Sequence, residues 1–202
     1  MNARDLVFHG LAIKRYSTPE VIAELVGLPR ETVSGVLAEA LATGRAVEAR
    51  GSYSLAPLAR VALEARYGLH FAELRADPQF VAQYERFEVV NRNLKQIITE
   101  WQTVSVRGQR VANDHGDKAY DEGVIARLGD LHERAEPILA ALAARSARLD
   151  RYRRLLTVAL EKAEDGDTAW VSDIRCDSYH TVWFELHEDL LRILGRTRDE
   201  QA

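Results

Sequence analysis

The stretch ELVGLPRETVSGVLAEALATGR, Glu24 to Arg45, decides the fold of the first part of the chain. One run of apolar residues at helical spacing ends at Gly27, a residue that readily takes the left-handed conformation found at helix ends. A second run begins at Pro29 and ends at Gly44. Proline suits the first position of a helix, so the stretch predicts two helices joined by a short turn.

The residues on either side predict two further helices and a β-hairpin. Before the stretch, apolar residues recur at helical spacing, and Pro19 again suits a first helical position. After it, the segment RAVEARGSYSLAP changes to short strands around a turn containing Gly51. The predicted elements, in chain order, are helices over residues 4–15, 19–26 and 29–44, strands over 46–49 and 53–55, and a helix from Pro57.

This order resembles the winged helix-turn-helix domains of bacterial transcription regulators, and most closely those of the MarR type. The pattern G-R-x-V…R…Y-x-L-x-P runs from Gly44 to Pro57 and is followed by a helix, as in that type. The resemblance covers about residues 4–66. It implies that the helix after the turn enters a DNA groove and that the hairpin is the wing. The DNA-binding residues that it implies are Arg30, Thr32, Ser34, Arg45, Arg50, Ser52 and Tyr53.

The charge of this segment keeps a second function open. Residues 1–75 contain nine Lys and Arg against eight Asp and Glu, and the remainder contains 18 against 23. The proposed recognition helix has one basic residue near its start, Arg30, and Glu31 beside it repels phosphate. We therefore expect either a DNA-binding regulator that acts as a homodimer to double its contacts, or an adaptor whose winged helix binds a partner protein instead of DNA.

The chain is predicted to be mainly α, with a winged helix over residues 1–76 and a bundle-like helical domain over residues 77–202. Periodic apolar runs joined by short loops predict that the second domain is all-helical and antiparallel. It is larger than the flanking dimer helices of MarR proteins and is not assigned to a family. Asn91 lies in an apolar seam and either fixes register or contacts a ligand. Residues 103–117 are predicted to be a loop, and Pro137 to kink or split its helix.

Polar residues in the second domain define a candidate pocket for a small effector. On the last helix, His180 and His187 are two turns apart, about 10 Å by helix rise, which is too far for both to bind one metal ion. Two other roles remain open, namely helix caps with hydrogen-bonded core residues, and a metal site with partners from other helices. The candidate effector residues are Asn91, His115, Asp117, Asp121, His132, His180, Trp183 and His187.

Catalysis, cofactors and membranes are not expected. The sequence contains no G-x-S-x-G, P-loop, H-E-x-x-H or C-x-x-C motif. A single cysteine, Cys176, excludes an internal disulfide and fits a reducing cytoplasm. No run approaches the roughly 18 apolar residues that span a bilayer. We expect a cytoplasmic protein that is not an enzyme and has no metal or cofactor, with double-stranded DNA, a second copy and a small effector as its partners.

Overall fold

The computed structural model describes residues 1–197, which are mainly helical with two small antiparallel hairpins. Contacts divide them into two compact units. Unit 1 is Met1–Asp77 together with residues 187–197, and unit 2 is Pro78–Leu186. The last helix therefore contributes its second half to unit 1, whereas the sequence-based division placed all of it with the second domain. In the described part of the chain, no helix is both long and apolar enough to cross a membrane.

The elements of unit 1 follow the order expected from the sequence, with boundaries shifted by one or two residues. They are α1 (Ala3–Lys14), α2 (Pro19–Val26), α3 (Arg30–Ala42), β1 (Ala46–Ala49), β2 (Ser52–Leu55), α4 (Pro57–His70) and α5 (Ala72–Ala76). Gly27 ends α2 with a φ of 69°. The apolar sides of the helices meet in a core that includes Val7, Leu11, Ile22, Val33, Leu37 and Leu63.

The first hairpin has a two-residue turn that requires positive φ at both central positions. Arg50 has a φ of 53° and Gly51 a φ of 79°, values typical of the turn whose twist matches antiparallel strands. The hairpin is also tied to the connection between α1 and α2. The backbone N–H of Ser17 donates to Tyr53 over 3.0 Å, and the N–H of Tyr53 donates to Ser17 over 2.8 Å. The hairpin is therefore anchored at Tyr53, one residue pair from its turn.

A buried histidine joins helices from both ends of the chain within unit 1. His9 lies on α1. Its Nδ1 is 2.9 Å from the Tyr67 hydroxyl, and its Nε2 is 3.0 Å from Asp189 Oδ1. Asp189 belongs to α10 (Tyr179–Leu194) and is fully buried. A carboxylate only accepts hydrogen bonds, so Nε2 carries a proton towards it. The contact gives both buried polar groups a partner.

Unit 2 is built on α6 (Pro78–Gln102) and α7 (Lys118–Arg145), which pack along each other. The helix α8 (Asp150–Glu164) packs on α7, and the short helix α9 (Ala169–Ser172) follows it. The seam predicted on α6 is buried: Phe80, Tyr84, Phe87, Asn91, Leu94, Ile98 and Trp101.

Unit 2 is not all-helical, because a second hairpin occupies most of the predicted loop 103–117. Its strands are β3 (Thr103–Val106) and β4 (Gln109–Ala112), and the turn between them places Arg107 at a φ of 52° and Gly108 at 80°. Most of its side chains are exposed on both faces. The segment TVSV of β3 alternates polar and apolar residues, but β4 reads QRVA and does not, so the sequence signal for a paired strand is incomplete.

Helix α7 also differs from prediction, because it runs unbroken through Pro137. Pro137 was predicted to kink the helix or to split it near Glu136, and the split does not occur. Pro137 and Glu133, whose carbonyl loses its helical partner, are both exposed, so water can satisfy that carbonyl. Buried Ile138 and Leu142 hold the following turns against the core. Packing therefore outweighs the loss of one backbone hydrogen bond.

Because His9 and Asp189 are buried together, removal of the carboxylate should destabilise unit 1. We expect Asp189→Ala to lower the free energy of unfolding by about 3 kcal/mol, since it leaves a buried imidazole without its acceptor. Urea unfolding at neutral pH measures the change. The matched control is Glu73→Ala, which removes an exposed carboxylate from the same unit and should change stability by less than about 0.5 kcal/mol. Equal effects of the two substitutions would contradict the role of the buried pair.

Candidate functional site

The exposed face of α3 carries several small side chains and almost no cations. Thr32, Ser34, Gly35 and Ala38 are exposed, whereas Val33 and others on the opposite face are buried in the core of unit 1. Two of the residues expected to read base edges, Thr32 and Ser34, therefore lie on the accessible surface. Small side chains allow another surface to approach the helix backbone closely.

Arg30, the one basic residue of α3, is engaged by a neighbouring carboxylate. Its guanidinium forms an ion pair with Glu20 on α2, although 70% of the arginine side chain is exposed. Hydrogen bonds from the backbone of Glu20 and from Thr18, together with Arg30, hold the pKa of the Glu20 carboxyl below its usual value. An exposed pair of this kind contributes little to stability, so Arg30 can exchange Glu20 for another anionic partner.

The tip of the first hairpin presents an arginine to solvent. Arg50 is exposed at the turn. The Glu48 carboxylate accepts a hydrogen bond of 2.6 Å from the Gly51 N–H, which stabilises the turn. Ser52 and Tyr53 are half-buried. The Tyr53 backbone pairs with Ser17, so this residue contributes to anchoring the hairpin.

Arg45 lies at the start of the hairpin and not at its tip. It lines a small cavity of about 160 Å³ with Arg4, Arg66 and the buried Asp5. Arg66 donates to Asp5 over 3.0 Å. Arg45 and Arg50 therefore flank opposite ends of the strand β1.

The candidate effector residues fall into three groups. His115 and Asp121 lie together at a cavity in unit 2, and Asp117 caps α7 by accepting from the Tyr120 N–H over 3.1 Å. A second group, formed by Asn91, Trp183 and His132, is buried in the core of unit 2. The third group is the two histidines of α10. His187 belongs to unit 1, and His180 lies half-buried on the part of α10 that belongs to unit 2.

The first group centres on a histidine held by a buried carboxylate. His115 Nδ1 lies 2.9 Å from Asp121 Oδ2, and Asn113 donates to Asp121 Oδ1 over 2.9 Å. Asp121 is 6% exposed. Trp101 packs against the imidazole ring with centroids 4.5 Å apart. Three side chains therefore fix the ring, and its Nε2 has no hydrogen-bond partner among the described residues.

His115 lines a groove of about 630 Å³ between the start of α7 and the end of α8. The size is within the range of small-molecule sites. Its polar walls are His115, Lys118, Asp121, Glu122 and Glu164, and its apolar floor includes Ile125, Ala126 and Ala163. The arrangement can bind a small molecule that has both polar and apolar parts.

The second group is a polar and aromatic column in the core of unit 2. Trp183 donates to Asn91 over 3.0 Å, and its ring stacks on Phe87 with centroids 4.8 Å apart. The Tyr179 hydroxyl lies 3.2 Å from His132 Nδ1. Asn91 also donates to Glu88 over 3.2 Å. These contacts satisfy Asn91 and Trp183 within the chain.

No group of three or more His, Cys, Asp or Glu side chains within residues 1–197 is placed to hold a metal ion. The sequence did not identify Lys118, Glu122 and Glu164 as candidate site residues. The groove brings together Glu164 and residues of α7 that lie more than 40 positions before it, and no local spacing signals that contact.

Comparisons with models of protein families, with curated proteins and with solved structures find no match to this chain.

The His132–Tyr179 contact should make stability depend on pH. Burial lowers the pKa of His132 below its ordinary value of 6.5, against the opposing effect of nearby Glu136. Burial also raises the pKa of Tyr179, so its hydroxyl stays protonated. Below about pH 6.5 the unfolded chain binds a proton at His132 that the folded chain resists, and stability should fall as the pH falls.

The check is urea unfolding of the wild type and of His132→Asn from pH 7.5 to 5.5. Asn does not titrate and keeps an acceptor for Tyr179, so other titrating groups cancel in the difference between the proteins. We expect the wild type to be more stable at pH 7.5 and its advantage to shrink towards pH 5.5. Parallel stability curves would show that His132 does not contribute.

Proposed function

We propose that this protein is a DNA-binding transcription regulator of the winged helix-turn-helix, MarR-like type. In this proposal α2 and α3 are the helix-turn-helix, the first hairpin is the wing, and unit 2 senses a small effector. The observation that carries the proposal is the combination, in one compact unit, of an exposed helix face of small side chains and an exposed hairpin with Arg50 at its tip.

The expected contacts follow from exposure and charge. Arg30, Thr32 and Ser34 are exposed at the start of α3, where recognition helices of this motif meet base edges. Arg50 is placed to neutralise a phosphate. Few cations are available in each copy, so the salt-dependent part of the binding free energy should be small for one copy.

The proposal includes a dimer, because α4 exposes an apolar stripe that is complementary to itself. Leu58, Val61 and Leu69 are 84%, 61% and 80% exposed, and the exposed Ala62 and Ala65 lie between them at helical spacing. The stripe has large side chains at its ends and small ones at its centre. A second copy related by a two-fold axis would place Leu58 against Leu69 of the other copy, with the alanines at the closest approach.

Regulation would follow from a shift of population. An effector in the groove of about 630 Å³ in unit 2 would favour a conformation with a different affinity for DNA. The size of the response would be limited by the difference between the effector's affinities for the two conformations.

A second function is favoured by one observation on α3. Besides Gly35 and Ala38, its exposed surface carries Leu41, Glu31 and Glu39, so apolar and acidic groups outnumber the single arginine. Such a surface fits an adaptor that holds a partner protein.

Arg50 gives the sharpest test of DNA binding. We expect Arg50→Ala to weaken binding to duplexes of any sequence and to lower the slope of log K against log salt by about 1 per copy. Fluorescence anisotropy with a random 30-base-pair duplex measures both. The matched control is Arg107→Ala, which removes the same residue from the same type of turn in the other hairpin. Identical slopes for Arg50→Ala and the wild type would exclude the first hairpin as a wing.

The α4 stripe makes a prediction about oligomeric state. Two charges introduced by Leu58→Glu with Leu69→Glu should convert a dimer into a monomer, because the carboxylate at position 58 of one copy would face the carboxylate at position 69 of the other, and like charges repel. Light scattering after gel filtration measures the mass. Ile174→Glu is the control, since it places the same charge on an isolated residue that is 89% exposed. A wild-type monomer, or a double variant that remains dimeric, would contradict this surface.

A further inference from the structure

We propose that the groove between α7 and α8 binds an amphipathic amine, meaning a small molecule with a protonated nitrogen attached to an apolar body. The inference depends on the proposed function only for its regulatory meaning, because binding can be measured without DNA. Three features of the groove point to this class of molecule.

The first feature is the pair of carboxylates at the edge of the groove. Glu122 on α7 and Glu164 on α8 line it, and no ion pair within 4.0 Å engages either of them in the part of the chain that the structure describes. Together with Asp121, the lining contains three carboxylates against one ammonium, that of Lys118. Opposite charge on the bound molecule is therefore favoured.

The second feature is the end of α8. This helix runs from Asp150 to Glu164, and Ala163, Glu164 and Gly166 line the groove. The N–H groups of Asp165, Gly166 and Asp167 donate to the carbonyls of Glu161, Ala163 and Lys162, and the helix dipole places partial negative charge at this end. The helix dipole and the carboxylate side chains of the lining therefore both favour a bound cation.

The third feature is the fixed imidazole. Nδ1 of His115 is engaged by Asp121 Oδ2 at 2.9 Å and by Asn113 Nδ2 at 3.2 Å, which leaves Nε2 for a bound molecule. An ammonium donates up to three hydrogen bonds and accepts none, which complements the two carboxylates and an imidazole nitrogen that accepts. A carboxylate in the same place would find donors in Lys118 and the Thr168 hydroxyl but would be repelled by Glu122 and Glu164.

The apolar floor explains why the amine should carry a hydrophobic body. Ala126 is exposed in the lining of the groove, next to the largely buried Ile125 and Ala163, which are 8% and 1% exposed. A hydrated cation such as a metal ion or a simple polyamine gains nothing from this surface. An aromatic or alkyl amine removes it from water.

The test uses pairs of probes that share an apolar body and differ in charge: phenethylamine with 3-phenylpropionate, tryptamine with indole-3-propionate, and octylamine with octanoate. Saturation-transfer NMR and calorimetry are performed with the full-length protein in the absence of DNA. We expect the amines to bind at one site and each matched carboxylate to bind at least about tenfold more weakly. The imidazole signals of His115 should shift only with the amines.

Variants locate the site. Glu122→Gln with Glu164→Gln should weaken amine binding at least about tenfold. Glu133→Gln with Glu161→Gln removes the same two charges from exposed positions on the same helices, outside the groove, and should leave binding unchanged. Failure of all amines to bind, equal binding of both charges, or equal effects of the two double variants would overturn the proposal. Amine binding that persists while DNA binding is absent would instead refute the proposed function alone.

Discussion

A buried imidazole that needs a carboxylate determines how unit 1 is assembled. His9 is 2% exposed and Asp189 is fully buried, so neither can be hydrated and each must find a partner in the fold. The two residues are 180 positions apart. The helices that present the exposed surface of α3 and the first hairpin are therefore completed by residues from the end of the chain. A stable scaffold of this kind lets a small exposed surface keep one shape.

The electrostatics of that surface set the kind of recognition it can achieve. A DNA-binding surface with many arginines would bind any DNA through its phosphates, with little need for contacts to the bases. In unit 1, Arg30 forms an ion pair with Glu20. Arg45 lies at a small cavity with Arg4 and Arg66. The cations available at the proposed interface are therefore few, and affinity would have to come from base contacts and from two copies acting together. The self-complementary stripe on α4 supplies a means of pairing those copies.

The two hairpins show how much of this structure could be predicted from the sequence. Both have an Arg-Gly turn with positive φ. The first was predicted because the segment RAVEARGSYSLAP contains two short strand-like runs around Gly51 and ends at Pro57, whereas in the second only Thr103–Val106 alternates polar and apolar residues. The split allowed for at Pro137 does not occur, because burial of Ile138 and Leu142, a tertiary effect, outweighs a local propensity. His115 and Asp121 were found as polar residues close in sequence, but Glu122 and Glu164 join them only through the packing of α7 on α8.

The central claim is that unit 1 reads DNA, and the most direct test is selection of bound fragments from the genomic DNA of the source organism. The full-length protein is used at several salt concentrations, and the bound fragments are sequenced. If two copies read DNA through α3, a short palindrome with half-sites about one helical turn apart will be enriched, and binding will weaken as salt rises. Recovery of fragments without a shared sequence, even at low salt, would contradict the claim and favour a protein partner for the exposed face of α3.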